Sequence, residues 1–178
     1  MIDFTKNNSH LWQILQSFPI YWTLLGKSYR AYDRDTINLN DPMYYKIEFP
    51  TDRNVILYMR QLDTQEQLLT YRVLIGGSDS GGEVDPVTIF NNNTFFQSSK
   101  PSGLTITKDV TLAGQQTEVD YAVVYGSDIS GSRSSGGLSL DGFPRIYEAG
   151  HPPVYVEINT DQDASDQNYR LEFQWVEA

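Results

Sequence analysis

The feature that most constrains this chain is a period-two alternation of apolar and polar residues, repeated in six separate stretches. Tyr45, Ile47 and Phe49 share one face of residues 43–49, with Tyr44, Lys46 and Glu48 on the other. Val55, Leu57 and Met59 alternate with Ile56, Tyr58 and Arg60. Leu69, Tyr71, Val73 and Ile75 form a third stripe, and Val119, Tyr121, Val123 and Tyr125 a fourth. Val154, Val156 and Ile158 alternate with Tyr155 and Glu157. Tyr169, Leu171, Phe173 and Trp175 are opposed by Arg170, Glu172 and Gln174. Successive side chains of a strand point to opposite faces, so each stripe predicts a strand with one buried side.

Shorter candidates at residues 27–32, 87–90, 104–107 and 145–148 bring the expectation to about nine or ten strands. The twelve tyrosines suit such pleated, half-buried surfaces. Many short strands separated by turn residues predict an all-β fold, an antiparallel β-sandwich of jelly-roll-like type, with strand order left open. The expected organisation is an N-terminal arm over residues 1–26 and a sandwich domain over 27–178. Residues 9–17, before Pro19, form the best helix candidate, with Ser9 as a cap. The arm is rich in aromatic residues: Phe4, Trp12, Phe18, Tyr21 and Trp22. It either folds back on the sandwich or is buried on a neighbour. Residues 76–82 and 126–137 are rich in Gly and Ser and predict flexible loops.

Composition removes several function classes. The chain has 178 residues and no cysteine, so disulfides, thiolate metal sites and a cysteine nucleophile are excluded. No apolar run approaches the ~20 residues of a membrane-spanning helix, and no membrane partner is expected. The first ten residues lack the pattern of a signal peptide, which predicts synthesis in a cytoplasm. The formal net charge is −10. Residues 1–72 carry eight basic and eight acidic residues, so the remaining stretch holds the whole excess. A basic face for nucleic acid is not evident, and no nucleic-acid partner is expected.

Three local patterns invite a chemical reading. Asp79-Ser80-Gly81-Gly82 matches the core of a chymotrypsin-like nucleophile motif. Its serine would need a histidine base. The two histidines, His10 and His151, lack the setting that family requires, and turn chemistry accounts for the segment. Asp161, Asp163 and Asp166 are hard oxygen donors at short spacing, but the EF-hand pattern is absent and a solvated loop fits equally. Paired carboxylates for glycoside hydrolysis are too many to discriminate. No catalytic residue, cofactor or metal is expected.

The order of segments resembles a loose group of small tailed-bacteriophage virion proteins. The likeness runs over residues 43–178. It rests on the Phe-Pro-Thr-Asp-Arg turn at 49–53 followed by Val55-Ile56-Leu57-Tyr58-Met59-Arg60. It continues through Thr70-Tyr71-Arg72-Val73-Leu74 and Pro86-Val87-Thr88-Ile89-Phe90-Asn91-Asn92-Asn93-Thr94. It ends with residues 153–159 and 169–177. The resemblance implies a capsid decoration (cement) protein: a β-sandwich bound in many copies to the outside of the major capsid protein lattice of the virion. Such proteins are commonly homo-oligomers, and a trimer is the expectation. Lattice or subunit contacts are expected at Phe4, Trp12, Phe18, Tyr21, Trp22, Arg30 and Arg34, because aromatic residues and arginine dominate interface hot spots. A receptor- or glycan-binding tail or fibre domain is the alternative, and a hydrolase on the same scaffold ranks last.

Overall fold

The computed structural model describes residues 22–39, 41–64, 68–79, 85–93, 100–125, 136–139, 144–160 and 167–178. After a helical turn at residues 22–24, the described residues form fourteen strands, every one paired antiparallel. Sheet I contains β1 (Ser28–Ile37), β3 (Val55–Thr64), β7 (Ile89–Asn91), β11 (Gly136–Ser139), β12 (Arg145–Tyr147) and β14 (Gln167–Glu177). Its order is β11-β3-β14-β1-β7, with β12 on the same edge of β3 as β11. Sheet II contains β2 (Met43–Glu48), β4 (Leu68–Ile75), β6 (Asp85–Pro86), β8 (Thr105–Lys108), β10 (Thr117–Tyr125) and β13 (Val154–Asn159). Its order is β10-β4-β13-β2-β8-β6. A two-stranded ribbon joins β5 (Ser78–Asp79) to β9 (Leu112–Ala113).

The two sheets face each other across one apolar core, which is the expected β-sandwich. Sheet I contributes Tyr29, Ala31, Leu62, Leu171, Phe173 and Trp175. Sheet II contributes Tyr45, Ile47, Tyr71, Val73, Val156 and Ile158. The stripes of β2, β4 and β14 are buried as the alternation predicts. Tyr29 and Trp175, neighbours in register, also stack with centroids 5.9 Å apart.

Two stripes break phase. In β3 the buried set starts as Val55 and Leu57 and resumes as Arg60, Leu62 and Thr64. The register against β14 shifts between Gln174 and Trp175, so Tyr58 is an extra residue and every later side chain changes face. A second irregularity leaves Val119 unpaired in β10, between Glu118 and Asp120. Val119 and Tyr121, expected on an apolar stripe, are therefore exposed, while Val124 is buried. β13 departs differently: residues 154–158 are all buried. Leu74, Val110 and Tyr155 form a second small cluster, with Tyr44 and Leu112 packed against it, on the outer side of sheet II. One buried face per strand is thus too simple for this strand.

The glycine-rich stretch at 76–82 is partly regular. Gly76 and Gly77 have φ of 80° and 75°, a region that L side chains rarely adopt, and lead directly into β5. A Cβ on Gly77 would lie 2.8 Å from the Ala113 carbonyl oxygen, so the close approach of β9 requires glycine there.

Candidate interaction surface

β1 presents Arg30, Tyr32, Arg34 and Thr36 outward, all exposed. Neighbouring strands supply Phe90 from β7 and Arg170, Glu172 and Gln174 from β14. On this outer face of sheet I the side chains form a ladder. The Arg30 guanidinium lies 5.9 Å from the Phe90 ring centroid. Phe90 and Tyr32 stack at 5.5 Å with an 8° interplanar angle. The Arg170 guanidinium lies 5.8 Å from the Tyr32 centroid. Tyr32 is 41% exposed and Phe90 37%. Large aromatic rings at that exposure, flanked by arginine, have the composition of a binding hot spot. The face carries three guanidiniums against the carboxylates of Glu172 and Asp63, in a chain whose net charge is −10.

The outer face of β1 holds two of the seven expected contact residues, Arg30 within the ladder and Arg34 beside it. Trp22 stands apart in the entry turn, with Lys27 Nζ 5.3 Å from its ring centroid. Phe4, Trp12, Phe18 and Tyr21, and the helix candidate at 9–17, lie outside the described residues. The partners that complete the face, Tyr32, Phe90 and Arg170, were absent from the sequence expectation. The polar row of β14 was legible, and β1 only as a short strand at 27–32 without assigned faces. That these rows are adjacent depends on β14 inserting beside β1, which no local pattern announces.

Other charged groups close the sandwich. Glu177 is 1% exposed. Its carboxylate accepts hydrogen bonds from Ser102 Oγ at 2.6 Å, Gly103 N at 2.9 Å and Leu104 N at 3.3 Å. Arg53 Nη1 donates to it at 3.2 Å and Trp175 Nε1 at 3.4 Å. Asp120 Oδ2 accepts from Arg60 Nη1 and Arg145 Nη2, each at 2.8 Å, an ion pair that crosses between the sheets. Arg72 binds Glu118 at 2.6 Å and Glu157 at 3.0 Å. Burial, with the charge of Glu157 behind it, pushes the Tyr44 hydroxyl up to about 12. Lys108 Nζ bridges Asp35 at 2.8 Å and Asp33 at 3.3 Å. Tyr45 donates to Asp33 at 2.8 Å and lies 2.7 Å from the Tyr169 hydroxyl. Each group ties one strand or loop to another.

The patterns considered for chemistry have structural surroundings where they are described. Asp79 accepts from Lys46 Nζ at 3.1 Å and Tyr155 at 3.4 Å, while Ser80 lies outside the described residues. His151 packs edge-on against Phe49 and Tyr147. Asp161, Asp163 and Asp166 lie outside the described residues. Among the described residues no group of three or more His, Asp or Glu side chains is placed to hold a metal ion. The Asn91–Asn93 run ties down the entry turn. Asn91 Nδ2 donates to the Gly26 and Lys100 carbonyls, and Asn93 Nδ2 to that of Leu24. A trough at the open side of the sandwich is lined by Val87, Ile89, Asn91, Lys100, Pro101 and Thr107 among others.

No family model matches the chain, and no curated protein matches it.

Proposed function

We propose that this chain is a capsid decoration protein of a tailed bacteriophage, a non-catalytic β-sandwich. It docks on the outer surface of the major capsid protein lattice and stabilises the head. The observation that carries the reading is the arginine–aromatic ladder of Arg30, Phe90, Tyr32 and Arg170 on one flat sheet face of an otherwise acidic sandwich. A cement protein needs a rigid scaffold, an adhesive face and a soluble outer surface. The ladder meets the second need, because its members are already held against each other and lose little freedom on binding. The acidic excess serves the third, keeping decorated particles soluble and apart. The segment order that resembles small tailed-phage virion proteins points the same way. Many copies, or a homo-oligomer such as a trimer, would turn modest contacts into firm attachment.

A glycan-binding tail domain is the competing reading. Sugar stacking needs an uncovered aromatic face. Tyr32 and Phe90 cover a face of each other, and each has a guanidinium near its ring. That favours a protein partner over a sugar.

Quantitative peptide mass spectrometry on purified virions tests the proposal through the copy number of this chain relative to the major capsid protein. A simple lattice fraction is expected. A handful of copies would move the chain to the tail, and absence would overturn the virion reading.

A further inference from the structure

We infer that Arg34 and Arg170 form a seat for a carboxylate, filled by a single Asp or Glu side chain of the docked protein. The inference rests on the docking reading above and names the chemistry of its occupant. Arg34 and Arg170 are direct cross-strand partners in the β1–β14 pair. Both belong to the outward row, so two guanidiniums stem from positions about 5 Å apart. Like charges in that position disfavour a sheet, so the isolated fold gains nothing from the juxtaposition itself.

Among the described residues the carboxylate contacts of this pair fall on Arg170 and not on Arg34. Among the described residues, no hydrogen bond or ion pair joins Arg34 to a carboxylate. Arg170 donates one Nη2 hydrogen bond to Glu172, while its buried Nε has no acceptor. Asp63 opposes Arg170 from β3 as a second carboxylate, its oxygens also accepting from Gln61 Nε2 at 2.9 and 3.0 Å. The two arginines border a depression whose other walls include Thr36, Asn168, Asp63 and Asp35, the last paired with Lys108 at 2.8 Å. An arginine fork matches a carboxylate through two parallel N–H···O bonds, so one incoming carboxylate would engage the Arg34 fork and offset its repulsion by Arg170. The Tyr32–Phe90 stack holds Arg170 in place beforehand.

The charge of the whole chain selects a protein occupant. A net charge of −10 repels an extended polyanion such as nucleic acid or an acidic polysaccharide. A single protein carboxylate within a close-fitting contact meets the local guanidiniums and little of that field. A second copy of this chain is the rival occupant, and the test separates the two.

The test pairs stability of the isolated chain with binding to heads that lack it. Arg34→Gln should melt at or above the wild-type temperature, since it relieves repulsion. It should bind heads at least about tenfold more weakly, and Arg34→Glu more weakly still. Heads whose surface carboxylates have been amidated with carbodiimide and glycinamide should lose wild-type binding to the same degree. An Arg34→Gln variant that melts several degrees lower makes Arg34 a structural residue and overturns the seat. Unchanged binding of either variant, or of amidated heads, overturns it as well. If Arg34→Glu dissociates a wild-type oligomer in sedimentation while head binding is unchanged, the occupant is a second copy and the assignment is wrong. Wild-type chain that binds no heads counts against decoration itself, and the melting result then decides the seat.

Discussion

Glu177 ends β14 with its carboxylate almost wholly removed from water, held by Ser102, two backbone N–H groups, Arg53 and Trp175. A buried charge is tolerable when its lone pairs are filled in this way. Glu177→Gln keeps the shape but turns one acceptor into a donor that faces other donors. Urea denaturation should show a loss of about 2–3 kcal/mol, the cost of leaving buried donors unmet. Gly103 makes the clamp possible, because a Cβ there would lie 2.9 Å from Pro50 Cβ. Asp109 gives the opposite case. Burial is the largest cause raising its carboxyl above the usual range; Lys108 lowers it, and Asp35, Asp85 and Asp33 add to the rise. The folded state therefore holds that proton more tightly than the unfolded chain. Its contribution favours folding at acid pH and fades as pH rises through the raised value. Asp109 also has φ of 60°, a conformation that Asn accepts as readily. Asp109→Asn should melt higher than wild type at pH 7, and the gain should vanish near pH 3. A gain that persists at pH 3 would assign the effect to backbone preference instead.

At the scale of strands, the alternation foretold the buried rows of β2, β4 and β14 because the extra residue of each irregular pair lies in the partner strand, β3 or β10, and not in them. It failed in β3 and β10 because one inserted residue in each, Tyr58 and Val119, inverts all that follows. A bulge is a property of two strands in register, and nothing in one strand's composition marks it. The two inversions have a joint result: Arg60 from sheet I and Asp120 from sheet II meet between the sheets. Arg60 is 7% exposed, so removing Asp120 takes a carboxylate away from a buried charge. Asp120 itself keeps some contact with water, which lowers the cost below that of a fully buried pair. Asp120→Ala should lose about 2 kcal/mol in chemical denaturation. Arg60→Met added to it should recover much of that loss, since an apolar residue at an inward position needs no partner. If the double variant is no better than the single one, the deficit belongs to Arg145, the second donor to Asp120. The arginine–aromatic face was legible in the same partial way. Arg30 and Arg34 were expected as contacts from their residue type, whereas their outward phase in β1 and the arrival of Phe90 and Arg170 beside them depend on pairing and strand order.

The whole molecule is closed by its last strand. β14 lies between β1 and β3, with Ser28 paired to Val176 and Val55 to Glu177. Sheet I therefore has no central strand until β14 is made, and its main pairing joins residues separated by almost the full length of the sandwich. Such non-local pairing places β-sandwiches among slow folders, in about the millisecond-to-second range, because the loop must close before contacts reward it. The same topology predicts how the chain tolerates truncation. A chain ending at residue 166 would lose Leu171, Phe173 and Trp175 from the core and the Glu177 clamp together. It would also leave β1 and β3 facing each other across a gap one strand wide. It should show no cooperative thermal transition and bind a hydrophobic dye. A chain starting at residue 22 keeps β1 whole, with the entry turn still fastened by Asn91 and Asn93. It should unfold in one cooperative step. Comparing its affinity for heads with that of the full chain then divides attachment between the sheet I face and the aromatic arm. Full affinity assigns docking to the ladder. A large loss with an intact fold assigns it to Phe4, Trp12, Phe18 and Tyr21.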